Sequence, residues 1–194
     1  PPSTWPLWAF ISAPMAMPRK LKNFNIFNDA NSYQGIAKNI TLPTLARKME
    51  AYRGGGMNGP VKADMGLSDD GIQVEWTLGG WDLLAIRQWG ATSASAVALR
   101  FTGAVQQDDT GATQAVEVVM RGRHEEIDFG SAEPGGDTEH SITTTCTYYK
   151  LSVDGEVLVE IDILNMVEIV NGEDILADQR SAPAPVRGIA LDDR

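Results

Sequence analysis

The chain has 194 residues, 43% of them apolar, and a formal charge of −10, which suits one domain with a sizeable core and excludes a surface built to grip phosphates. Cys146 is the sole cysteine, so an intramolecular disulfide is excluded and folding in a reducing cytoplasm fits. Charge is uneven. Arg19, Lys20, Lys22, Lys38, Arg47, Lys48, Arg53 and Lys62 face only Asp29 and Glu50 in the first 62 residues, while the other eight cations face 24 of the 26 acids. A subunit with a basic and an acidic part can attract copies of itself.

Residues 1–18 carry no charge and hold Pro1, Pro2, Pro6, Pro14 and Pro18 among Trp5, Leu7, Trp8, Phe10 and Ile11. The prolines argue against a helix, the stretch is too short to span a bilayer, and a signal peptide would want a basic start. No other membrane-spanning candidate occurs, so a subunit soluble before assembly is expected. From residue 33 the dominant period is two, the mark of an antiparallel β domain. Leu42–Gly59 interrupts it as a basic excursion ending in Gly54, Gly55 and Gly56, and is expected to be a long loop.

Ile72–Leu78 alternates cleanly and predicts a strand. Trp81–Trp89 places Trp81, Leu84, Ala85 and Trp89 at helical spacing, predicting a short helix that packs its indoles on a sheet. Val97–Gln107 and Ala112–Arg123 flank Asp108-Asp109-Thr110-Gly111 as a hairpin, with Gly103 and Gly122 marking bulges or tight curvature. Ser141–Val153 and Glu156–Ile163 form a second hairpin across Asp154-Gly155. There, Val157, Val159, Ile161 and Ile163 are expected on a core face, with Glu156, Leu158, Glu160 and Asp162 on the other, mostly acidic face. The tail from Ala177 to Arg194, with Pro183 and Pro185, lacks a core pattern.

Catalytic patterns do not emerge. Gly54–Gly56 lacks the following Lys-Ser or Lys-Thr of a phosphate loop. His124-Glu125-Glu126 wants a third zinc ligand, and Asp108-Asp109 lacks the spaced oxygens of a calcium loop. No Gly-x-Ser-x-Gly elbow occurs. Cys146 reads as a small buried hydrophobe. No catalytic residue, cofactor or metal is expected.

Met15-Ala16-Met17-Pro18-Arg19-Lys20-Leu21-Lys22, Phe27-Asn28-Asp29, Thr41-Leu42-Pro43, Arg47–Gly59, Glu75–Gly80, Val118–His124, Tyr148–Leu151 and Val153–Glu156 together resemble the FII-type major tail tube proteins of contractile-tailed phages. The resemblance covers residues 15–176, leaving 1–14 as an N-terminal extension and 177–194 as a C-terminal tail. It implies a mainly β, antiparallel barrel or sandwich with one short packed helix, whose hexameric rings stack into a tube inside the sheath. It also implies a structural virion protein, present in the host cytoplasm before assembly. The partners implied are further copies of itself, the tail sheath protein, baseplate and tail terminator proteins, and a tape measure protein in the lumen. Genomic DNA would pass without specific binding, and the subunit would bind no membrane.

Within that frame Arg47, Lys48, Arg53, Gly54, Gly55, Gly56, Met57 and Asn58 are candidates for ring-to-ring contact. Glu156, Glu160 and Asp162 are candidates for lining the lumen, where acid would repel phosphates. Three rivals remain open: the tube of an R-type contractile bacteriocin, a monomeric ligand-binding or enzymatic β domain, and an injected ring protein of a secretion system.

Overall fold

The computed structural model describes residues 17–182. The expected extension 1–14 and residues 183–194 of the expected tail lie outside the described residues. Alternating apolar residues build a long antiparallel sheet whose strand order is β12-β11-β10-β9-β8-β7-β1-β2. Its strands are β1 (Arg19–Asn28), β2 (Asn31–Ser32), β7 (Val97–Gln107), β8 (Thr113–Asp128), β9 (His140–Val153), β10 (Glu156–Asp162), β11 (Val167–Val170) and β12 (Glu173–Asp174). A branch of β6 (Ile72–Leu78) and β3 (Ala37–Thr41) joins it, because β6 also pairs with β9.

β9 makes the branch possible by dividing one edge between two partners. His140–Cys146 pairs with β6 and Tyr148–Val153 with β10. Thr147 sits at the fork as a bulge, since on the other edge Tyr148 faces Arg121 and Cys146 faces Gly122. Its carbonyl accepts from the Ile163 N–H at 3.0 Å, and its hydroxyl lies 3.4 Å from the Ala94 and Arg121 carbonyls. Gly122 is required here. An added Cβ would stand 2.0 Å from the Thr145 carbonyl oxygen and 2.8 Å from the Cys146 Cα. The expectation for Gly122 thus holds in a particular form: the extra residue is on β9 and the glycine receives it. At Gly103 the demand is side-chain packing, with Leu21 Cδ1 and Phe101 Cζ within 2.9 Å of an added Cβ.

Both predicted hairpins form. Gly111 closes the first with φ +70°, and Asp154 and Gly155 take φ 52° and 87°, the two positive values that a type I′ turn demands. The inward faces meet in one core that includes Ile26, Val74, Trp76, Leu99, Phe101, Val118, Met120, Ile142 and Ile161. Each large side chain buried there contributes roughly 1.5–3 kcal/mol. Trp76 is fully buried, with Tyr33 edge-on at 5.5 Å.

Several expectations are corrected. The sheet does not close into a barrel among the described residues: its terminal strands, β2 and β12, are two residues each and stand at opposite ends of the strand order. Leu42–Gly59 is not a long loop. β4 (Arg47–Tyr52) pairs with β5 (Val61–Leu67) in a separate two-stranded ribbon, and only residues 53–60 remain as its tip.

The helix α1 (Leu83–Gln88) forms, capped by Asp82 accepting from the Ala85 N–H at 2.9 Å. Its indoles do not pack inward: Trp81 and Trp89 are 60% and 53% exposed, and Ala85 is the helix's one buried residue. Six residues give too little helix to turn both ends of a tryptophan stripe onto a sheet. The C-terminal tail begins with a second short helix, α2 (Ala177–Ser181).

Candidate assembly surfaces

The ribbon is fixed at its root and unaccompanied at its tip. Arg47 reaches Asp64 at 3.1 Å and also pairs with Glu168 of β11, whose side chain is only 7% exposed. Lys48 pairs with Asp69 at 2.6 Å. Both cations therefore have acidic partners within their own chain. Arg53 and Lys62 at the tip have no ion pair among the described residues.

The tip is shaped by Gly54–Met57. The Met57 N–H donates to the Gly54 carbonyl at 3.3 Å, the Gly54 N–H meets Met57 Sδ at 3.0 Å, and Gly56 takes φ +83°, a value glycine adopts freely. Gly55 and Asn58 are exposed. Below them Tyr52 and Val61 are cross-strand neighbours, 65% and 58% exposed. The Val61-x-Ala63-x-Met65-x-Leu67 alternation was the signal that could have revealed β5.

Removing the Arg47 side chain should leave Glu168 a buried, unpaired carboxylate. Arg47→Ala is expected to destabilise the ribbon root by about 1–3 kcal/mol, measured as faster amide exchange in β4 and β11 than in β7.

The acid trio is divided. Val157 faces Ser152 but Val159 faces Leu151, so Leu158 is a bulge. The register then puts Glu156 on the opposite face from Glu160 and Asp162, correcting the single acid face. Ile163 leaves the strand and is 44% exposed. Glu160 accepts from the Tyr148 hydroxyl at 2.8 Å and lies across from Lys150. Burial first, and then Glu160, push the Tyr148 hydroxyl up to about 12. Asp162 accepts from the Asn165 backbone and side-chain nitrogens at 3.0 and 2.7 Å.

The groups considered for chemistry serve the interior. Burial raises the Cys146 thiol to about 12, so it stays protonated. His124 is enclosed between Thr144 (Nδ1 to Oγ1, 2.9 Å) and Gln88 (Nε2 to Oε1, 3.3 Å), and burial lowers it to about 4. Gln88 exchanges amide hydrogen bonds with the buried Asn28 at 2.7 and 3.1 Å, tying α1 to the end of β1. His140 accepts the Asp82 N–H at 3.2 Å and stacks on Phe129.

Among the described residues, an open antiparallel sheet and a separate ribbon whose tip exposes Tyr52 and Val61 define a β-rich domain with edges and apolar groups left for a partner. The model of the phage tail tube protein FII family matches residues 18–182, and the chain belongs to that family. It is 55% identical to the tail tube protein of Escherichia phage P2, over 86% of this chain and 97% of that protein. It is 39% identical to the major tail tube protein of Serratia phage KSP20, over 85% of this chain and 95% of that one. A chain in the six-fold symmetrised cryo-EM structure of the anti-feeding prophage baseplate shares the fold, with a TM-score of 0.51 at 11% identity, covering 75% of this chain and all of that one. The protein is accordingly a structural tail tube protein and not an enzyme.

Proposed function

We propose that this chain polymerises as stacked hexameric rings into the inner tube of a contractile tail, the conduit for the genome during ejection. The observation that carries the proposal is the family match across nearly all the described residues, with 55% identity to a phage tail tube protein. The sequence relatives named above are both phage proteins, which favours a virion over a bacteriocin particle. The open edges of the sheet support ring formation, since a neighbour's strands would cover hydrogen-bonding groups that otherwise invite uncontrolled pairing. Tail sheath, baseplate and tail terminator proteins are its further partners, with a tape measure protein and then DNA in the lumen.

The ribbon is the ring-to-ring element in this proposal. Arg47 and Lys48 brace its root, and Arg53 with Gly54–Asn58 makes the contact. Glu160 and Asp162, which share a face, are the acids assigned to the lumen wall, where they would repel phosphate. Replacing residues 53–60 by Asn-Gly, a two-residue hairpin turn, is expected to leave a folded subunit that forms no tubes by electron microscopy at concentrations where the parent does. Normal tubes from that variant would overturn the ribbon's role.

A further inference from the structure

The α1 end of the subunit carries an apolar face with no cover among the described residues. Trp81, Leu83 and Trp89 are 60%, 67% and 53% exposed. Trp81 meets Phe129 edge-on at 5.5 Å. Ile86, Trp89, Ile127 and Phe129 line a depression of about 240 Å³. An exposed cluster of this kind marks a contact surface more often than chance.

Its position relative to the ribbon is informative. β6 runs from the ribbon's return strand, β5, to the start of α1, and β3 runs antiparallel to it from the α1 side toward β4. Seven strand residues span roughly 23 Å, so ribbon root and helix stand at opposite ends of the β3–β6 pair. A head-to-tail assembly needs two different, mutually complementary surfaces at opposite ends.

The charges are complementary. Residues 127–139, which lead into His140 beside the Asp82 cap of α1, carry four carboxylates and no Lys or Arg. Lys38 engages Asp137 and Glu139, and α1 adds its own Arg87. Asp128 and Glu133 have no ion pair among the described residues, and neither do Arg53 and Lys62 on the ribbon. Beside those two cations stand the exposed Tyr52 and Val61, apolar groups of a size suited to a shallow aromatic depression.

We infer that the aromatic face of α1 is the receptor for the ribbon tip of a second copy of this chain, Tyr52 and Val61 packing on Leu83, Trp89 and Phe129 while Arg53 and Lys62 meet Asp128 and Glu133. This rests on the ribbon as the stacking element and names what it docks on.

Two experiments test it. In the double variant Tyr52→Cys with Leu83→Cys, assembled into tubes and oxidised, covalent ladders are expected on non-reducing gels, with each single variant remaining monomeric; Cys146 is buried and stays out of the reaction. Tubes without ladders would overturn the inference. Separately, Leu83→Asp and Tyr52→Asp are each expected to raise the concentration needed for tubes by more than about tenfold, with an unchanged thermal midpoint. If Tyr52→Asp blocks tubes but Leu83→Asp does not, the ribbon still stacks and α1 is not its receptor. If neither does, the stacking role falls as well. Bare tubes of Leu83→Asp that no longer recruit sheath would give this face to the sheath and overturn the inference.

Discussion

Gly122→Ala is expected to be the most damaging single-atom addition in the domain, lowering stability by at least ~4 kcal/mol. The new methyl would occupy space 2.0 Å from the Thr145 carbonyl oxygen and 2.8 Å from the Cys146 Cα. Both obstacles are backbone, so no rotamer change relieves them. β8 and β9 must separate where β9 passes from β6 to β10, and the ladder that joins the branch to the main sheet is lost there. At this chain length the loss corresponds to a thermal midpoint roughly 8–16 °C lower, read by circular dichroism on protein expressed in the cold. Gly80→Ala is the control: an added Cβ there meets nothing within 4 Å, and the midpoint should stay within about 2 °C. Equal midpoints for the two variants would remove Gly122 from its role at the fork.

The same residue shows what the sequence makes legible and where it stops. A glycine inside an alternating strand announces a close approach, and Ile72–Leu78, both hairpins and the type I′ turn follow from period and turn chemistry alone. A bulge on the facing strand leaves a weaker trace. Leu158 interrupts the alternation by making Val157-Leu158-Val159 a continuous apolar run, but Glu156, Glu160 and Asp162 keep their even spacing while the register shifts, so Glu156 reads as sharing a face with Glu160 in sequence and does not in the sheet. In the basic ribbon Gly54–Gly56 mark only the tip, and the strand itself is carried by the alternating apolar positions Val61, Ala63, Met65 and Leu67 of β5. The tryptophans of α1 show another limit. Helical spacing identifies residues that share a face, but whether that face meets a sheet or a neighbouring molecule depends on partners that one chain's pattern does not contain. The Arg47–Glu168 pair joins positions 121 residues apart, and nothing local marks either residue for the other.

Acid is expected to weaken the fold in a defined window, through His124. The ring is buried, and its partners fix a neutral tautomer. The Thr144 hydroxyl, whose oxygen also accepts from Trp76 Nε1 at 3.4 Å, donates to Nδ1, and Nε2–H donates to Gln88. Protonating Nδ1 removes the acceptor that Thr144 uses and places a charge beside Trp76, 6.2 Å away. Burial is the main cause of a folded value near 4 against an ordinary 6.5; Asp82 acts to raise it and His140 to lower it further. Since the unfolded chain takes up the proton first, this group's stabilisation is complete above pH 6.5, falls as pH drops from 6.5 to 4, and is constant below. The loss is on the order of 3 kcal/mol. His140, also shifted down by burial, acts in the same sense. Asp137 and Asp174, held below the ordinary carboxylate value chiefly by hydrogen bonds from Lys38 and Arg180, act only as pH falls from about 4 downward. Urea midpoints at pH 7, 5.5 and 4.5 should therefore decline in the parent and decline less steeply in His124→Gln, where only the contribution of His140 remains. Because Gln88 lies on α1 and shares this network with Asn28, the helix end of the subunit should be the first part to loosen, seen as amide exchange at residues 83–89 rising before that of β7. An equal decline in both proteins would transfer the acid sensitivity from His124 to the other buried imidazole, His140.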